Sequence, residues 1–296
     1  MPEPTTVHLI DASPYIFRAH FSLPDSIKDK QGNRAGAVYG FTSFLLKLIA
    51  DEKVTHLGVT FDRNLNGSFR NRFYPPYKQQ RQDPPPELVA QIDPCLEVAS
   101  ALGAATFIDD EYEADDLIAA LCAPLVKQGH RVVIVTTDKD LAQLVSDQVT
   151  LLDFAKEERY TPAEVKEKFG VPPDQITDLL GLAGDSVDNI PGVPGIGKKT
   201  AAELLAAYGS VENLYDNLEE LRWSKKIRGA RSLAMKLTGA RDSAFLSKRL
   251  ATVTEEAPAK ASLSDLRYRG ADTARIEALF ERLGFNKIRD RVPEAR

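Results

Sequence analysis

The chain of 296 residues is long enough for two domains, and with 43% hydrophobic and 27% charged residues it has the composition of an ordinary globular protein. No apolar run approaches the roughly 20 residues of a membrane span, and the first residues lack the apolar stretch of a signal peptide, so we expect a cytoplasmic protein. The formal net charge of −5 excludes a generally basic coat for nucleic acid.

Three apolar runs that each end in an aspartate predict parallel β-strands. They are VHLID, HLGVTFD and RVVIVTTD, which end at Asp11, Asp62 and Asp138. Continuous apolar runs separated by helical patterns are typical of buried strands in an α/β sheet. Helices are predicted over 38–51 and 86–103, the second interrupted by Pro94, and a fourth strand over 105–108. The ligand crevice of such a sheet lies beyond the carboxyl ends of its strands, where all three aspartates fall.

The pattern changes after about residue 170. Residues 171–184 predict a helix started by proline and ended by glycine, and 198–218 predict two helices separated at Gly209. A weak strand signal follows at 262–269, and 271–285 have the pattern of an amphipathic helix. We therefore predict an α/β domain over residues 1–175 and a mainly helical domain over 176–296.

Nine acids lie at predicted strand ends, at helix starts or in the loop before a glycine-rich turn. They are Asp11, Asp62, Glu113, Asp115, Asp116, Asp138, Asp140, Asp185 and Asp188. Any one of them could simply cap a helix, but nine carboxylates in one crevice repel one another unless cations neutralise them. Oxygen ligands without paired histidine or cysteine select Mg²⁺ or Mn²⁺. Because two such ions about 4 Å apart can hold a scissile phosphodiester, we favour phosphodiester hydrolysis.

Two tracts are basic. Residues 63–82 contain five basic residues and no acid, and 221–250 contain nine basic residues and one acid, whereas 108–116 are acidic at six of nine positions. Within the first tract, Lys78 and Arg81 lie beside aromatic residues, a combination typical of nucleic-acid binding. For Phe69 and Phe73, packing onto the core is an equally good interpretation. An acidic centre between basic tracts suits a site that holds cations against a polyanion.

The segment GDSVDNIPGVPGIGKKTA, residues 184–201, approaches the spacing of a nucleotide-binding P-loop. Lys199 stands where that motif requires serine or threonine, and the segment follows a predicted helix rather than a strand. These two departures argue against a nucleotide site.

Six motifs resemble those of bacterial 5′-nucleases, in the same order: VHLIDAS, VTFDR, YPPYKQQR, EYEADD, TTDKD and GDSVDNIPGVPGIGKKTA. That family comprises the 5′→3′ exonuclease domain of DNA polymerase I and stand-alone flap-endonuclease relatives, and the resemblance runs from about residue 5 to 220. With no polymerase domain following, the chain looks like a stand-alone member. The resemblance implies a PIN-like nuclease domain with a helical arch near 65–90, then a helix–hairpin–helix (H3TH) DNA-binding domain.

The resemblance also implies roles for the acids. Asp11, Asp62, Glu113, Asp115 and Asp116 match a first metal cluster, Asp140, Asp185 and Asp188 match a second, and Asp138 lies close to both ions. Two or three Mg²⁺ or Mn²⁺ are the implied cofactors. The implied catalytic residues are Asp11, Asp115, Asp138 and Lys78, the last of which reaches the scissile phosphate.

The implied DNA contacts lie in two regions. Arg18, Tyr77, Lys78 and Arg81 belong to the nuclease domain; the hairpin supplies Gly192, Val193, Gly195, Ile196, Gly197, Lys198, Lys199 and Thr200, which hold duplex phosphates with the help of a K⁺ ion. The implied partners are branched, 5′-flap or nicked duplex DNA and a DNA polymerase acting in trans. We expect a monomer in the nucleoid, without a membrane partner.

Two alternatives remain open. One is a DNA-structure-binding protein without catalysis, which the intact set of nine acids argues against. The other is a ribonuclease on a similar acid-lined domain, which the duplex-holding hairpin makes less favourable.

Overall fold

The computed structural model describes residues 4–64 and 67–293, and its centre is a six-stranded sheet. The strands are β1 Thr6–Asp11, β2 Leu57–Asp62, β3 Ala105–Asp109, β4 Arg131–Val135, β5 Val149–Asp153 and β6 Glu158–Tyr160. Their order across the sheet is β3-β2-β1-β4-β5-β6, with β1 to β5 parallel and β6 antiparallel to β5.

Helices cover both faces of this sheet and make up most of the chain after residue 171. They are α1 Ser13–Ser22, α2 Gly36–Asp51, α3 Pro86–Val89, α4 Ile92–Ala101, α5 Ala114–Lys127, α6 Pro162–Phe169, α7 Ile176–Ala183, α8 Lys198–Tyr208, α9 Val211–Asp216, α10 Leu218–Trp223, α11 Ala230–Gly239, α12 Arg241–Ala251 and α13 Thr273–Leu283. The predicted fold class, a mainly parallel α/β sheet followed by helices, is confirmed.

The strands are apolar at consecutive positions because both faces of the sheet are covered. Leu9 packs into a core formed with α5, α7 and α8, whereas Ile10 packs into a second core formed with α2, α4 and α13. The four predicted strands are present, but β4 ends at Val135, so Asp138 lies in the loop beyond it. β5 and β6 were not predicted.

Two local predictions differ from the structure. The predicted helix over 86–103 is interrupted at residues 90 and 91, between α3 and α4, and not at Pro94 itself. Pro94 lies in the first turn of α4, where its missing N–H breaks no hydrogen bond. The weak strand at 262–269 is wrong, because that segment forms one isolated bridge, between Arg267 and His56.

The segment predicted as a helical arch has little helix in its described part. Residues 67–90 contain a 3₁₀ turn, Phe69–Arg72, and the short helix α3. The intervening prolines at 75, 76, 84 and 85 remove backbone donors and disfavour helix in the residues before them. Residues 73–81, here called the strap, form successive turns that lie over the carboxyl ends of the strands. Leu65 and Asn66 lie outside the described residues.

The last part of the chain returns to the α/β sheet. Leu57 N–H at the start of β2 donates to Leu266 O, and Tyr268 N–H donates to Thr55 O. Residues 276–288 add buried side chains, including Phe280 and Phe285, to the core around α2 and α4. The sheet is thus completed by residues on both sides of the helical segment. A domain boundary near 175 stays a prediction.

No helix within residues 4–64 and 67–293 has the length and hydropathy needed to cross a bilayer.

Candidate metal and DNA-binding site

Five of the predicted acids line one pocket at the carboxyl end of the sheet. The pocket has a volume of about 200 Å³. Its acidic lining is Asp11, Asp62, Glu113, Asp115 and Asp138, and Lys78 and Arg81 lie at the same pocket. The first two acids are the last residues of β1 and β2, and the next two flank the first residue of α5. Parallel strands and a helix start therefore bring together acids that are distant in sequence.

Hydrogen bonds fix the orientation of two of these carboxylates. Thr136 Oγ1 donates to Asp11 Oδ2 at 2.9 Å. Asp62 accepts from Ser13 Oγ at 2.5 Å and from Ala114 N–H at 2.7 Å. Each carboxylate is thus held by a neighbouring strand or helix terminus, which leaves it aimed at the pocket.

The pocket disfavours negative charge on its aspartates, whereas Lys78 and Arg70 lower the pKa of Glu113 against the effect of burial. Burial, followed by the neighbouring carboxylates Asp62 and Asp138, raises the pKa of Asp11 well above its usual value. Burial and the charges of Asp138 and Asp11 do the same for Asp115. The pKa of Asp140 rises to about 7, mainly through burial and then through Asp138. Carboxylates in such surroundings are stabilised by a nearby cation.

The donor set fits a hard divalent cation. It consists of carboxylate oxygens, and burial followed by the charges of neighbouring carboxylates raises the pKa values of Asp11 and Asp115. Mg²⁺ and Mn²⁺ prefer oxygen ligands. Across the described residues, no three acidic, histidine or cysteine side chains already converge as ligands of one ion. Several of the carboxylates instead accept hydrogen bonds from the protein.

The strap carries two cations onto this pocket. Lys78 forms an ion pair with Glu113 and lies 3.8 Å from Asp188, and Arg81 pairs with Asp188. Tyr77 is buried, and its hydroxyl donates to Glu113 at 3.2 Å and to Asp188 at 3.3 Å. Lys78 and Arg81 thus neutralise acids of both predicted clusters.

Asp116 differs from the other acids of its predicted cluster. It does not line the pocket; its fully buried carboxylate accepts from Arg70 Nη1 at 2.8 Å and Nη2 at 2.9 Å. Arg70 also donates to Glu113 at 2.8 Å and to the carbonyls of Leu250 and Thr252. The sequence places Arg70 among the cations of the basic tract, which suggests contact with nucleic acid and not the observed pairing with Asp116.

The second predicted cluster lies beside the first. Asp140 N–H donates to Asp138 Oδ1 at 2.8 Å, and Asp140 is close enough to Asp185 and Asp188 for their charges to raise its pKa. Asp185 forms an ion pair of 2.8 Å with Lys139. Burial favours the protonated form of Asp185, but this pair and the Val187 N–H lower its pKa overall. The sequence did not suggest a partner for Asp185.

The loop that follows Asp188 leads into the hairpin and closes tightly on itself. Gly184 and Gly192 both have left-handed φ angles, of 71° and 63°. A Cβ on Gly192 would lie 2.4 Å from Gly184 N, and a Cβ on Gly184 would lie 2.5 Å from Ile190 O. Both positions therefore require glycine because the backbones approach so closely.

Only some residues of the predicted hairpin are exposed, and several of its backbone N–H groups already donate hydrogen bonds within the protein. Gly192 N–H donates to Ser247 Oγ, Val193 N–H to Leu182 O and Ile196 N–H to Val193 O. Val193 and Ile196 are also buried, so the prediction that these three residues hold phosphates through N–H groups does not fit their observed bonds. The exposed residues are Gly195, Gly197, Lys198 and Lys199, and Thr200 is half-buried. Gly197 caps α8, whose N-terminus favours anions.

Two further cations lie near these regions. Lys236 of α11 donates to Gly195 O at 3.3 Å, which extends the positive charge of the hairpin. Arg18 is exposed on α1, but it lines a groove beside Lys47 and Arg291 rather than the acidic pocket.

Two family models cover most of the chain. The 5′-3′ exonuclease N-terminal resolvase-like domain matches residues 6–170, and the 5′-3′ exonuclease C-terminal SAM fold matches residues 171–274. The chain belongs to the 5′-3′ exonuclease family. The predicted resemblance, and with it the prediction of a nuclease, is therefore confirmed at the level of the family.

Curated relatives of this family member are DNA polymerases I. The chain is 42% identical to that of Bacillus caldotenax and 41% identical to that of Bacillus subtilis, over 96% and 99% of its own length. The match to Mycobacterium leprae DNA polymerase I is 39% over 97% of the chain. The chain spans about a third of the length of these relatives, 31% to 33%.

Solved structures share the fold of this family member at lower identity. T5 5′-exonuclease with bound zinc superposes with a TM-score of 0.71 at 20% identity, covering 94% of this chain and 99% of the other. The catalytic core of Rad2 in complex with DNA substrate gives a TM-score of 0.62 at 16% identity, covering 97% and 90%. At these identities the likeness shows the fold.

Proposed function

We propose that the chain is a structure-specific 5′-nuclease that hydrolyses DNA phosphodiester bonds with two divalent metal ions. It would cut 5′ flaps endonucleolytically and 5′ ends exonucleolytically, in replication and repair. The observation that carries this proposal is the pocket in which five acids converge beneath Lys78. Acids that repel one another at a strand-end crevice, next to a cation on a separate segment, suit a metal-assisted reaction of a phosphate.

The acids would divide into two groups of ligands. Asp11, Asp62, Glu113 and Asp115 would hold one Mg²⁺ or Mn²⁺, with Asp138 between the groups. Asp140, Asp185 and Asp188 would hold the other. Bound there, the ions would supply hydroxide at neutral pH and stabilise the leaving oxygen. Asp116 would serve the site through Arg70, because its carboxylate is already occupied by the guanidinium.

Lys78 would stabilise charge on the scissile phosphate. Its side chain is only 12% exposed, and its ammonium lies among Glu113, Asp188 and the ring of Tyr77. Burial disfavours the charged amine, but the neighbouring groups, Glu113 first among them, outweigh burial and raise the pKa of Lys78 well above its usual value, so the amine stays protonated. A cation held at low exposure interacts more strongly with a phosphate than one in water. Tyr77 and Arg81 would hold Lys78 and the substrate end in place.

The hairpin would hold duplex DNA away from the cut. The N-terminus of α8 with Lys198 and Lys199 offers N–H groups and charge to phosphates, and Lys236 lies beside it. A K⁺ ion at the hairpin carbonyls would add to this attraction. Residues 1–175 would thus cut and residues 176–296 would mainly bind. The protein would act as a monomer in the nucleoid. Its substrates would be nicked and flapped chromosomal DNA, and a DNA polymerase would act in trans.

Two relatives in fold lend support to this substrate. The Rad2 core is solved in complex with DNA substrate, and a T5 flap endonuclease is solved in a pseudo-enzyme-product complex with DNA and metal ions. The latter has a TM-score of 0.66 at 22% identity, and covers 96% of this chain and 95% of the other.

A cleavage assay with three labelled DNAs tests the proposal. A 5′ flap, a nicked duplex and a single-stranded 3′ overhang are each incubated with Mg²⁺, Mn²⁺ or EDTA, with Asp115→Asn as the inactive control. We expect cleavage of the first two substrates with either metal and none in EDTA. Survival of the 5′ flap with both metals, or cleavage that persists in EDTA, would refute it. Binding without cleavage would indicate the DNA-binding alternative. A fourth substrate, the same flap made of RNA, tests the ribonuclease, which would cut the RNA flap in preference to the DNA flap.

A further inference from the structure

The strap is tied to residues 185–190, here called the acidic loop, by hydrogen bonds that the proposed chemistry does not use. Asn189 Nδ2 donates to Pro76 O at 2.6 Å, and Lys78 N–H donates to Asp188 O at 3.0 Å. Gln80 Nε2 donates to Ser186 O and Val187 O at 2.7 and 3.0 Å. Most of these bonds have a backbone carbonyl of the acidic loop or strap as acceptor, so they fix chain position rather than charge.

Lys78 needs such support because its backbone is strained. Its φ angle is 57°, in the left-handed region, which is unfavourable for residues other than glycine and persists only where neighbours hold it. The carbonyls of the two preceding residues are held by asparagines: Asn189 binds Pro76 O, and Asn71 binds Tyr77 O at 2.9 Å. The direction in which the Lys78 side chain leaves the strap therefore depends on these two amides.

Asn189 is itself joined to the hairpin. Its own φ is 56°, a conformation that asparagine tolerates better than most residues. The next residue, Ile190, is buried and exchanges both backbone hydrogen bonds with Asp185, at 2.7 and 2.9 Å. Gly192 then packs against Gly184 and binds Ser247. A short, well-bonded stretch of chain thus runs from the duplex-holding hairpin to the carbonyl beside Lys78.

We propose that Asn189 is a positioning residue that sets the Lys78 ammonium over the acidic pocket and ties its placement to the hairpin. The inference rests on the proposed nuclease function and adds a residue to it. Asn189 does not line the acidic pocket, and its amide donates to the strap rather than to an acid. Its effect would pass entirely through the strap, so its loss should matter only while Lys78 is present.

A double-mutant cycle tests this directly. Asn189→Gly keeps the left-handed backbone and removes the amide; Asn189→Asp keeps the size and cannot donate to Pro76 O. Single-turnover cleavage of the 5′ flap with Mg²⁺ is measured for these variants, for Lys78→Ala and for Asn189→Gly combined with Lys78→Ala. We expect each Asn189 variant to cut roughly 10- to 100-fold more slowly than wild type, and the combined variant to cut as slowly as Lys78→Ala alone. Duplex affinity, measured without divalent metal, should not change.

Asn213→Ala provides the matched control, because Asn213 Nδ2 donates to Tyr208 O at the same 2.6 Å but in the helical segment. It should cut at the wild-type rate. The proposal is overturned if Asn189→Asp cuts at the wild-type rate, or if Asn189→Gly slows the Lys78→Ala enzyme as much as it slows wild type, which would indicate a general structural role. Failure of the wild-type enzyme itself to cut the flap would instead refute the proposed function.

Discussion

Replacing Asp116 with asparagine is expected to destabilise the protein much more than the same change at Asp115. The Asp116 carboxylate accepts two hydrogen bonds from Arg70, and it also accepts from Thr254 N–H at 3.0 Å and from Glu113 N–H at 3.3 Å. Arg70 is 3% exposed, so water cannot replace the lost partner. Breaking a buried ion pair costs about 3–5 kcal/mol. Glu113 remains 2.8 Å from Arg70 and still compensates part of the charge, which favours the lower end of that range.

Urea denaturation in EDTA measures this difference. Asp115→Asn is the matched control: it removes a carboxylate whose pKa is raised by burial and by Asp138 and Asp11, so its removal should leave the free energy of unfolding unchanged or increase it. The two variants are matched because each changes one of two adjacent aspartates of α5 into asparagine. If Asp116→Asn proved as stable as wild type, or if both variants lost the same stability, the division of roles between these two acids would be wrong.

Two further predictions concern pH and duplex binding. In EDTA the free energy of unfolding should fall as the pH rises from about 4 to about 7. The reason is that the raised pKa of Asp140 makes the native state bind this proton more tightly than the unfolded chain does. Denaturation at a series of pH values measures the profile, which Asp140→Asn should flatten; an unchanged profile would contradict this explanation. Lys198→Ala should weaken duplex binding and lower the slope of log affinity against log salt by about 1, with single-turnover cleavage at saturating enzyme unaffected. A steeper salt dependence at unchanged affinity, measured by fluorescence anisotropy, would argue against a phosphate contact for Lys198.

The sequence predicts those parts of the fold that depend on local patterns. Apolar runs ending in aspartate locate β1 and β2, and glycines at 184 and 209 mark the ends of α7 and α8, as the structure confirms. β6 is only three residues long and becomes a strand by pairing with β5, a contact that no local pattern encodes. The helical arch was expected from resemblance, whereas the prolines of the strap favour turns.

Within the site, sequence spacing indicates which acids point in the same direction, but it does not indicate which residues they contact. Glu113 and Asp116 are three residues apart and do point the same way, since both contact Arg70. Which member of the pair Asp115 and Asp116 lines the pocket depends on a guanidinium 46 residues away from Asp116. Likewise, Val193 and Ile196 are buried, and the core to which they belong also includes residues of α5 and α11. Such long-range partners are set by packing.

The return of residues 266–288 to the first sheet has a consequence for biosynthesis. Leu266 and Tyr268 complete the hydrogen bonding at the start of β2, and Phe280 and Phe285 fill the core beneath α2 and α4. During translation, a domain folds as a unit once its residues have emerged. The acidic pocket would therefore gain its final rigidity only after residues 266–288 have left the ribosome, by which time the hairpin is already available. A nascent chain would be able to hold DNA before it is able to cut it.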